Sequence, residues 1–492
     1  MSVRLDTLIE GIASAPAVAI AGLSLDSRTL HAGDAFVAVR GGTAHGLDFL
    51  GAALERGARA VLWDPAEAVL PPLPQGVVAV AVPGLGGRLG AIADRAYGSP
   101  SARLSVAGVT GTNGKTTCAW LLADAASRLG RRAAYVGTLG AGFPPTVDRT
   151  ALTTPDVLSV HRLLASAERD GARRVALEAS SHALDQGRLA GVRMEIAAFT
   201  NLTRDHLDYH RTMAAYAAAK QRLFLQPGVA HAVINVGDPV GREFADSLPA
   251  GVELTAVRVG GAPGIPAARC LEVMPLNAST AGLVVRVRGE FGERQLRSPL
   301  LGGFNAENLG IVLGVLLAWD HDVDSAVAAL ASAAPPPGRM EGFRTARGAL
   351  AIVDYAHTPD ALAKVLEAAR GHASGRVCVV FGCGGDRDPG KRAAMGAIAE
   401  RLADVVVVTD DNPRREDPER IVHMILEGMR EPVRARVVHD RRAAIESALA
   451  EAGEGDVVVV AGKGHEQEQL VAGRARPFSD RECVAGLARG AA

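Results

Sequence analysis

Gly108-Val109-Thr110-Gly111-Thr112-Asn113-Gly114-Lys115-Thr116-Thr117 is the stretch whose reading decides the fold. It follows an apolar run, 104–109, that reads as a strand. An Ala/Leu-rich stretch ending near Gly130 follows it and reads as a helix. Strand, glycine-rich turn, lysine and paired hydroxyls in that order make a phosphate-binding loop. The glycines let backbone N–H groups turn inward around phosphate oxygens, with the helix N-terminus adding partial positive charge. Lys115 reaches the β- and γ-phosphates, and the Thr116 hydroxyl is a Mg²⁺ ligand. The spacing departs from the consensus, whose first glycine would fall at Val109. An ordinary glycine-rich turn, however, does not account for a lysine and two threonines at one place.

Outward from this loop, short Val/Ala/Ile runs alternate with longer helical stretches. Continuous apolar strands between helices indicate parallel sheets covered on both faces. Strands are expected at 35–39, 60–63 and 77–82, then, after a linker at 97–100, at 104–109, 133–136, 174–178, 196–201 and 232–235. Residues 249–299 read as a β-rich lobe with strands at 284–287 and 293–296, and a helix follows at 305–319. Ala333-Ala334-Pro335-Pro336-Pro337-Gly338 reads as a stiff hinge. Beyond it, strands at 351–353, 376–381, 405–409 and 457–460 leave room for a helix in each crossover, the rhythm of a doubly wound sheet. The fold class expected is α/β. At about 150 residues per domain, the 492 residues divide into about three domains. These are 1–100, a central 101–335 with a mostly parallel sheet and the small β lobe, and a Rossmann-like 336–492.

Composition narrows the function classes. Lys and Arg number 53 against 54 Asp and Glu, a net charge of −1, which argues against a phosphate-backbone coat. Aromatics are 4%, too few for a base-stacking platform, so no nucleic-acid partner is expected. The five cysteines form no C-x-x-C pair and are odd in number, which fits a reducing compartment. No apolar run reaches membrane-span length. Residues 11–25 are small and apolar, but Asp6 and Glu10 stand where a signal peptide carries basic residues. A cytoplasmic protein is expected.

Several polar segments leave strand ends. Glu178 closes the run 174–177 and suits Mg²⁺, a cation of hard oxygen ligands. Residues 201–210 are dense in ligand-type side chains, or else form a polar loop capped by Asp205. The run 216–220 looks like a solvated helix with one ordinary lysine, Lys220. Asn305 is either an N-cap or a nucleotide contact. Residues 382–388, 410–414 and 462–466 follow three successive strands of the last domain, the usual ligand rim of such sheets. There Arg387 and Arg414 offer forked donors for a carboxylate, and Glu466 can accept from an ammonium.

Residues 110–117, Glu178-Ala179-Ser180-Ser181-His182, 200–206, Phe304-Asn305 with Asn308, Arg339, and Asp354-Tyr355-Ala356-His357 occur in one order. Together they resemble the Mur ligase family, which builds the peptide stem of peptidoglycan, and the resemblance spans essentially the whole chain. It implies ATP-driven amide formation through an acyl phosphate, with Lys115, Glu178, His206 and Lys220 as catalytic residues. It implies two Mg²⁺ sites served by Thr116, Glu178, His206 and Lys220, the last as a carbamate, which reverses the solvated reading of that lysine. The ATP contacts it implies are Gly111, Thr112, Asn113, Gly114, Lys115, Thr116 and Thr117, with Asn305, Asn308, Arg339, Asp354 and His357.

The resemblance also assigns the other substrates. Leu25, Ser27, Gly42, Thr43, Ala44, Thr153, Thr154, Ser180, Gln186 and Arg188 match contacts to a UDP-MurNAc-dipeptide. Read without the family, 153–155 is a loop entering a helix with Pro155 in its first turn. Arg387, Asp411, Asn412, Pro413, Arg414, Gly462 and Glu466 match the amino-acid site, and 411–414 resembles the diaminopimelate-adding branch. meso-Diaminopimelate carries both a carboxylate and an ammonium at its far end, whereas lysine carries only the ammonium. Leaving Arg414 buried and unpaired would cost about 3–5 kcal/mol, a discrimination of roughly 10²–10³. The expected reaction joins meso-2,6-diaminopimelate to UDP-MurNAc-L-Ala-D-Glu, by a monomer. The rivals are another Mur ligase, a folylpolyglutamate synthase, and a nucleotide switch without turnover.

Overall fold

The computed structural model describes residues 3–42 and 44–490; Thr43, expected at the nucleotide-sugar site, lies outside the described residues. The architecture is α/β. The chain forms two compact units. The first holds residues up to Lys115, Ala126–Ile234 and Val240–Leu254; the second holds Thr116–Ala125, Asn235–Pro239 and the chain from Thr255 onward.

The first unit contains a four-stranded parallel sheet in the order Leu23–Ser24, Ala35–Ala38, Ala60–Trp63, Val78–Ala81. Its core of Leu5, Ile20, Val37, Leu62, Val80 and Ile92 includes part of the 11–25 stretch, so that stretch belongs to this fold. A second group of strands runs Thr146–Asp148, Gly140–Phe143, Ala133–Gly137, Arg174–Glu178, Ser105–Thr110, Ile196–Phe199, His231–Asn235. The strand entering the phosphate loop is thus flanked on both sides by parallel neighbours. Val106, Ala107, Val109 and Thr110 are buried, as a strand covered on both faces requires. Gly108 lies where a Cβ would stand 2.9 Å from the ends of the Leu223 and Met194 side chains, so any larger residue there would make those side chains shift.

The second unit holds the β lobe and the last sheet. Arg269–Ser279, Gly282–Gly289 and Gly292–Ser298 form an antiparallel meander. The six-stranded sheet runs Glu341–Arg344, Leu350–Asp354, Val457–Ala461, Val377–Phe381, Val405–Val408, Arg436–Val437 and is parallel apart from its first strand. Val457–Ala461 inserts between Leu350–Asp354 and Val377–Phe381, so strand order reverses there. Such a switch point opens a crevice at the carboxyl ends of the strands. The proline run read as a hinge is pinned at both ends. Ala334 N donates to Asp124 Oδ2 at 2.9 Å and Gly338 N to Glu341 Oε2 at 2.8 Å.

Two hairpins escape the sequence reading. Glu468–Val471 pairs with Arg474–Pro477 around Ala472 and Gly473, both at positive φ. A turn of that kind is signalled by Asn-Gly or Asp-Gly, and alanine hides it. Gly140–Phe143 with Thr146–Asp148 is glycine-rich and short, so it lacks a strand pattern.

The helix Asn305–Ala318 is buried almost all round. A Cβ on Gly310 would lie 2.6 Å from Val273 Cγ2 and 2.8 Å from Val257 Cγ1. Gly310→Val should therefore overpack this contact by about 1–3 kcal/mol. A lowered urea midpoint with unchanged slope is the expected readout.

Candidate active site

The phosphate loop is held by the end of the neighbouring strand. A Cβ on Gly111 (φ +148°) would fall on Thr200 Oγ1, so no other residue lets the loop come this close. Thr200 Oγ1 donates to Asn113 O at 2.6 Å, Thr112 N to Asn201 O at 2.8 Å, and Asn113 N to Asn201 Oδ1 at 3.0 Å. Two loop amides therefore face Asn201 rather than turning inward. Lys115 Nζ lies back across the loop, 2.8 Å from both Gly111 O and Thr112 O.

Lys220 is buried at 1% exposure on the last turn of Met213–Gln221, so the reading of 216–220 as a solvated helix fails. Tyr216 and Ala219 are buried on the same helix, and Thr212 caps it. Lys220 Nζ donates to Gly111 O at 2.6 Å and stands 4.4 Å from the Tyr216 ring centroid. Burial, reinforced by Lys115, holds its pKa well below the usual lysine range. His206 takes φ +52° and is half exposed, its ring 4.9 Å from His182 and 6.0 Å from Tyr216. Burial, opposed in part by Asp205, lowers its pKa, so the imidazole is neutral near pH 7 and able to act as a ligand. Asp205 is not a helix cap: His206 holds the N-cap position and Asp205 Oδ1 accepts from His206 N at 2.8 Å.

Glu178 is fully buried. Its Oε1 accepts from Tyr135 Oη at 2.5 Å and Thr138 N at 2.9 Å, and Oε2 accepts from Thr138 Oγ1 at 3.1 Å. Thr153, Thr154 and Ser180 gather around it, with Arg188 joined to Thr154 and Gln186 to Arg188. Thr153 Oγ1 is 3.1 Å from Thr138 Oγ1; Thr154 Oγ1 donates to Glu178 O at 2.6 Å and is 3.2 Å from Ser180 Oγ. Arg188 donates to Thr154 O at 2.9 Å and to Gln186 Oε1 at 2.6 Å. Pro155 precedes the N-cap Asp156 of Val157–Arg169 and is not in the helix's first turn. Leu25 and Ser27 lie in the loop after the strand Leu23–Ser24, and Gly42 and Ala44 in the loop after Ala35–Ala38, both strands of the four-stranded sheet.

In the second unit, four loops converge at the carboxyl rim of the last sheet around a cavity of about 410 Å³. Arg387, Asp411, Asn412, Arg414, Gly462 and Glu466 line it, and so do Tyr355 and His357. Pro413 carries the loop through this rim and is buried. Arg414, at φ +57°, is gripped by the unexpected hairpin. Arg414 N donates to Leu470 O at 2.8 Å, Gly473 N to Arg414 O at 3.1 Å, and Arg414 Nη1 to Gly385 O at 2.8 Å. Arg414 is half-buried, not fully desolvated, so rejection of a ligand lacking the carboxylate is weaker than full burial would give. Arg339 sits 4.8 Å over the Tyr355 ring with a buried Nε that has no hydrogen-bond partner among the described residues. Asp354 accepts from Met340 N at 2.7 Å, and burial raises its pKa. His357 Nδ1 is 2.8 Å from Tyr355 O, and burial lowers its pKa. Asn305 is not a cap, since Phe304 holds that position; its Nδ2 donates to Leu301 O, and its Oδ1 accepts from Asn308 Nδ2, both at 2.6 Å.

Tyr135 and Thr138, which orient Glu178, and Lys463, which is buried beside Glu466, escape sequence reasoning. Tyr135 sits mid-strand with nothing to mark it, while Lys463 stands within a quoted loop as one lysine among others. Among the described residues no three His, Cys, Asp or Glu side chains come together as a ready cation site. The hard oxygens of Thr116 and Glu178 nevertheless suit Mg²⁺.

Three Mur ligase profiles match the chain: a family catalytic domain at 19–94, a middle domain at 109–316 and a glutamate ligase domain at 338–464. A UDP-N-acetylmuramoyl-L-alanyl-D-glutamate--2,6-diaminopimelate ligase from Alkalilimnicola ehrlichii is 49% identical over 94% of this chain and 94% of its own. The chain belongs to the Mur ligase family. A solved structure described as a UDP-N-acetylmuramoyl-L-alanyl-D-glutamate--2,6-diaminopimelate ligase is 36% identical and covers 99% of both chains with a TM-score of 0.70. Mycobacterium tuberculosis folylpolyglutamate synthase, 20% identical with a TM-score of 0.59, covers 77% of this chain and 92% of its own and shares the fold.

The rim's bracing makes a pH-dependent expectation. Glu416 accepts from both Arg392 terminal nitrogens at 2.7 Å and from Asp386 N at 3.2 Å, tying the loop of Arg387 to that of Arg414. The Arg392 guanidinium holds Glu416 down to about 2, below its ordinary 4.5. A depressed carboxylate stabilises the fold above its unfolded pKa and loses that contribution as pH falls. Glu416→Gln should therefore lower the unfolding midpoint at pH 7, with the difference from wild type closing between pH 4.5 and about 2.

Proposed function

We propose that this chain is an ATP-dependent ligase of peptidoglycan precursor synthesis that joins meso-2,6-diaminopimelate to UDP-MurNAc-L-Ala-D-Glu. The observation that carries the substrate assignment is the convergence of Arg387, Arg414 and Glu466 on one cavity, donors for a carboxylate beside an acceptor for an ammonium. Near half-identity over almost its whole length to a ligase named for that reaction supports it. The working division is 1–100 for the UDP-sugar, 101–335 for ATP and 336–492 for the amino acid. The enzyme acts as a cytoplasmic monomer; among the described residues no helix is long and apolar enough to cross a membrane.

Mur ligases are ATP-dependent, and charge dominates their first step: a substrate carboxylate must approach an anionic γ-phosphate. The carboxylate oxygen forms a bond to the γ-phosphorus as the bond to ADP breaks. The diaminopimelate amine then attacks the acyl carbon and phosphate leaves. Lys115 leaves Gly111 O and Thr112 O to follow the β- and γ-phosphates, so its charge moves with the ligand. Thr116 and Glu178 would hold one Mg²⁺, and His206 with Lys220 as a carbamate would serve a second. Mg²⁺ supplies positive charge that offsets the repulsion between the two anions. Burial beside Lys115 lowers the Lys220 pKa, which favours the unprotonated form able to take up carbon dioxide. Thr154, Ser180, Gln186 and Arg188 orient the dipeptide carboxylate beside Glu178. Arg339, its buried Nε unpartnered among the described residues, and Asp354, His357, Asn305 and Asn308 serve the nucleotide.

Phosphate release with UDP-MurNAc-L-Ala-D-Glu and a panel of amino acids should be fast with meso-diaminopimelate and weak with L-lysine, L-alanine and D-alanyl-D-alanine. Release insensitive to every amino acid defeats the assignment. Lys220→Ala should lose most turnover and regain part of it with formate or acetate. Arg414→Ala should raise the KM for diaminopimelate about tenfold or more, the loss of a charged hydrogen bond, with the KM for ATP within about twofold.

A further inference from the structure

The loop 462–466 contributes Gly462 and Glu466 to the cavity, yet its most buried side chain is Lys463, at 0% exposure. A lysine fully removed from water needs every ammonium hydrogen paired. Here each has a partner: Asn412 Oδ1 at 3.0 Å, Glu466 Oε2 at 2.8 Å and Glu468 O at 2.7 Å. Two of these belong to side chains that face the cavity.

The consequence for Asn412 is geometric. Its Oδ1 receives both Lys463 Nζ and Leu470 N, the latter at 2.9 Å, and both partners only donate. The amide therefore cannot flip. Its Nδ2 donates one hydrogen to Glu466 Oε2 at 2.8 Å, which leaves the other for a further acceptor. Glu466 Oε2 is saturated by Lys463 and Asn412, which leaves Oε1 as the acceptor for a ligand. We propose that Lys463 is a positioning residue for the amino-acid substrate. Its buried ammonium locks the Asn412 amide as a donor toward the substrate carboxylate and the Glu466 carboxylate as an acceptor toward the substrate ammonium. This rests on the assignment of the cavity to diaminopimelate.

Lys463 also governs the charge of Glu466. Burial pushes the Glu466 pKa up, and Lys463, with help from Asn412 and His465, more than reverses that, leaving it below the ordinary value. The other titratable groups that act on or are acted on by Glu466 are Asp411, Arg441 and Tyr355. Without the ammonium, burial acts unopposed, Glu466 binds a proton more readily, and it ceases to accept from the substrate at a higher pH than in the wild type.

The test begins with wild-type diaminopimelate-dependent phosphate release; its absence defeats the assignment of the cavity and, with it, this role. With that activity present, Lys463→Met should raise the KM for diaminopimelate about tenfold or more. The KM values for ATP and the UDP-dipeptide should stay within about twofold, and the acid limb of kcat/KM for diaminopimelate should move to higher pH. Adding Glu466→Gln to Lys463→Met should cost little more than the worse single change, because without the ammonium Glu466 has already lost its role. An unchanged diaminopimelate KM, an equal rise in all three KM values, or an unmoved acid limb overturns the proposal. Lys463→Gln, similar in length and able to donate to Asn412, carries the same test where the Met variant does not fold. The same movement of its acid limb is expected, and a stationary limb is fatal.

Discussion

The site around the phosphate loop depends on the closeness with which Gly111 meets the end of the strand Ile196–Phe199. A side chain there would occupy the position of Thr200 Oγ1. With none present, Thr200 and Asn201 take hold of Thr112 and Asn113, and Gly111 O is left pointing at two lysines. Lys115 and Lys220 share that one carbonyl. Two ammonium charges on one acceptor repel, and the buried partner yields its proton first, since burial disfavours the charged form. A backbone constraint thus has a chemical result: two lysines meet at one carbonyl, and the buried one holds its proton less tightly than a lysine in water.

The rim of the last sheet follows a related logic with different parts. Gly385 approaches Pro413 O so closely that a Cβ would sit 2.0 Å from it, which draws the loops of Arg387 and Arg414 into one wall. Arg392 with Glu416 braces that wall from beneath, and the hairpin Glu468–Arg474 region fixes the backbone of Arg414 from above through Leu470 and Gly473. Behind it Arg441 pairs with Asp480 at 2.7 Å, both fully buried, and donates to Ala461 O at 2.9 Å. Charges that bind nothing from outside therefore set the positions of those that do. Pre-ordering the binding groups lowers the entropy lost when a ligand arrives.

Legibility in the sequence follows from how local each signal is. The parallel strands were readable because burial on both faces leaves continuous apolar runs, and the ligand rim because polar segments stand directly after those runs. The phosphate loop declared itself through residue types in a fixed order. Lys220 did not, since its burial comes from the face it shares with Tyr216 and Ala219, which packs against other elements, and an alanine-rich run looks the same on a solvated face. The orientation of the Arg414 loop was equally hidden. It depends on a hairpin whose turn is Ala472-Gly473 and whose strands are largely exposed, so neither turn chemistry nor alternation marked it. Tyr135 and Thr138 act on Glu178 across a neighbouring strand, a register relation that no single segment contains.

These two kinds of signal separate what the fold supplies from what the individual chain supplies. A folylpolyglutamate synthase shares the architecture at 20% identity, so the sheet and its strand ends are features of the fold. Phosphate chemistry needs little more than that, because a glycine-rich turn and a lysine at a strand end act through backbone and charge. Amino-acid choice needs side chains held at fixed orientation, and an asparagine amide or a glutamate at a loop tip has no orientation of its own. Here the orientation comes from donor-only partners behind the cavity, Lys463 and the backbone of Leu470, which leave Asn412 a single hydrogen-bonding arrangement. Loops over a shared sheet acquire specificity by burying charge beneath the groups that face the ligand, and the residues that touch substrate are only its visible half.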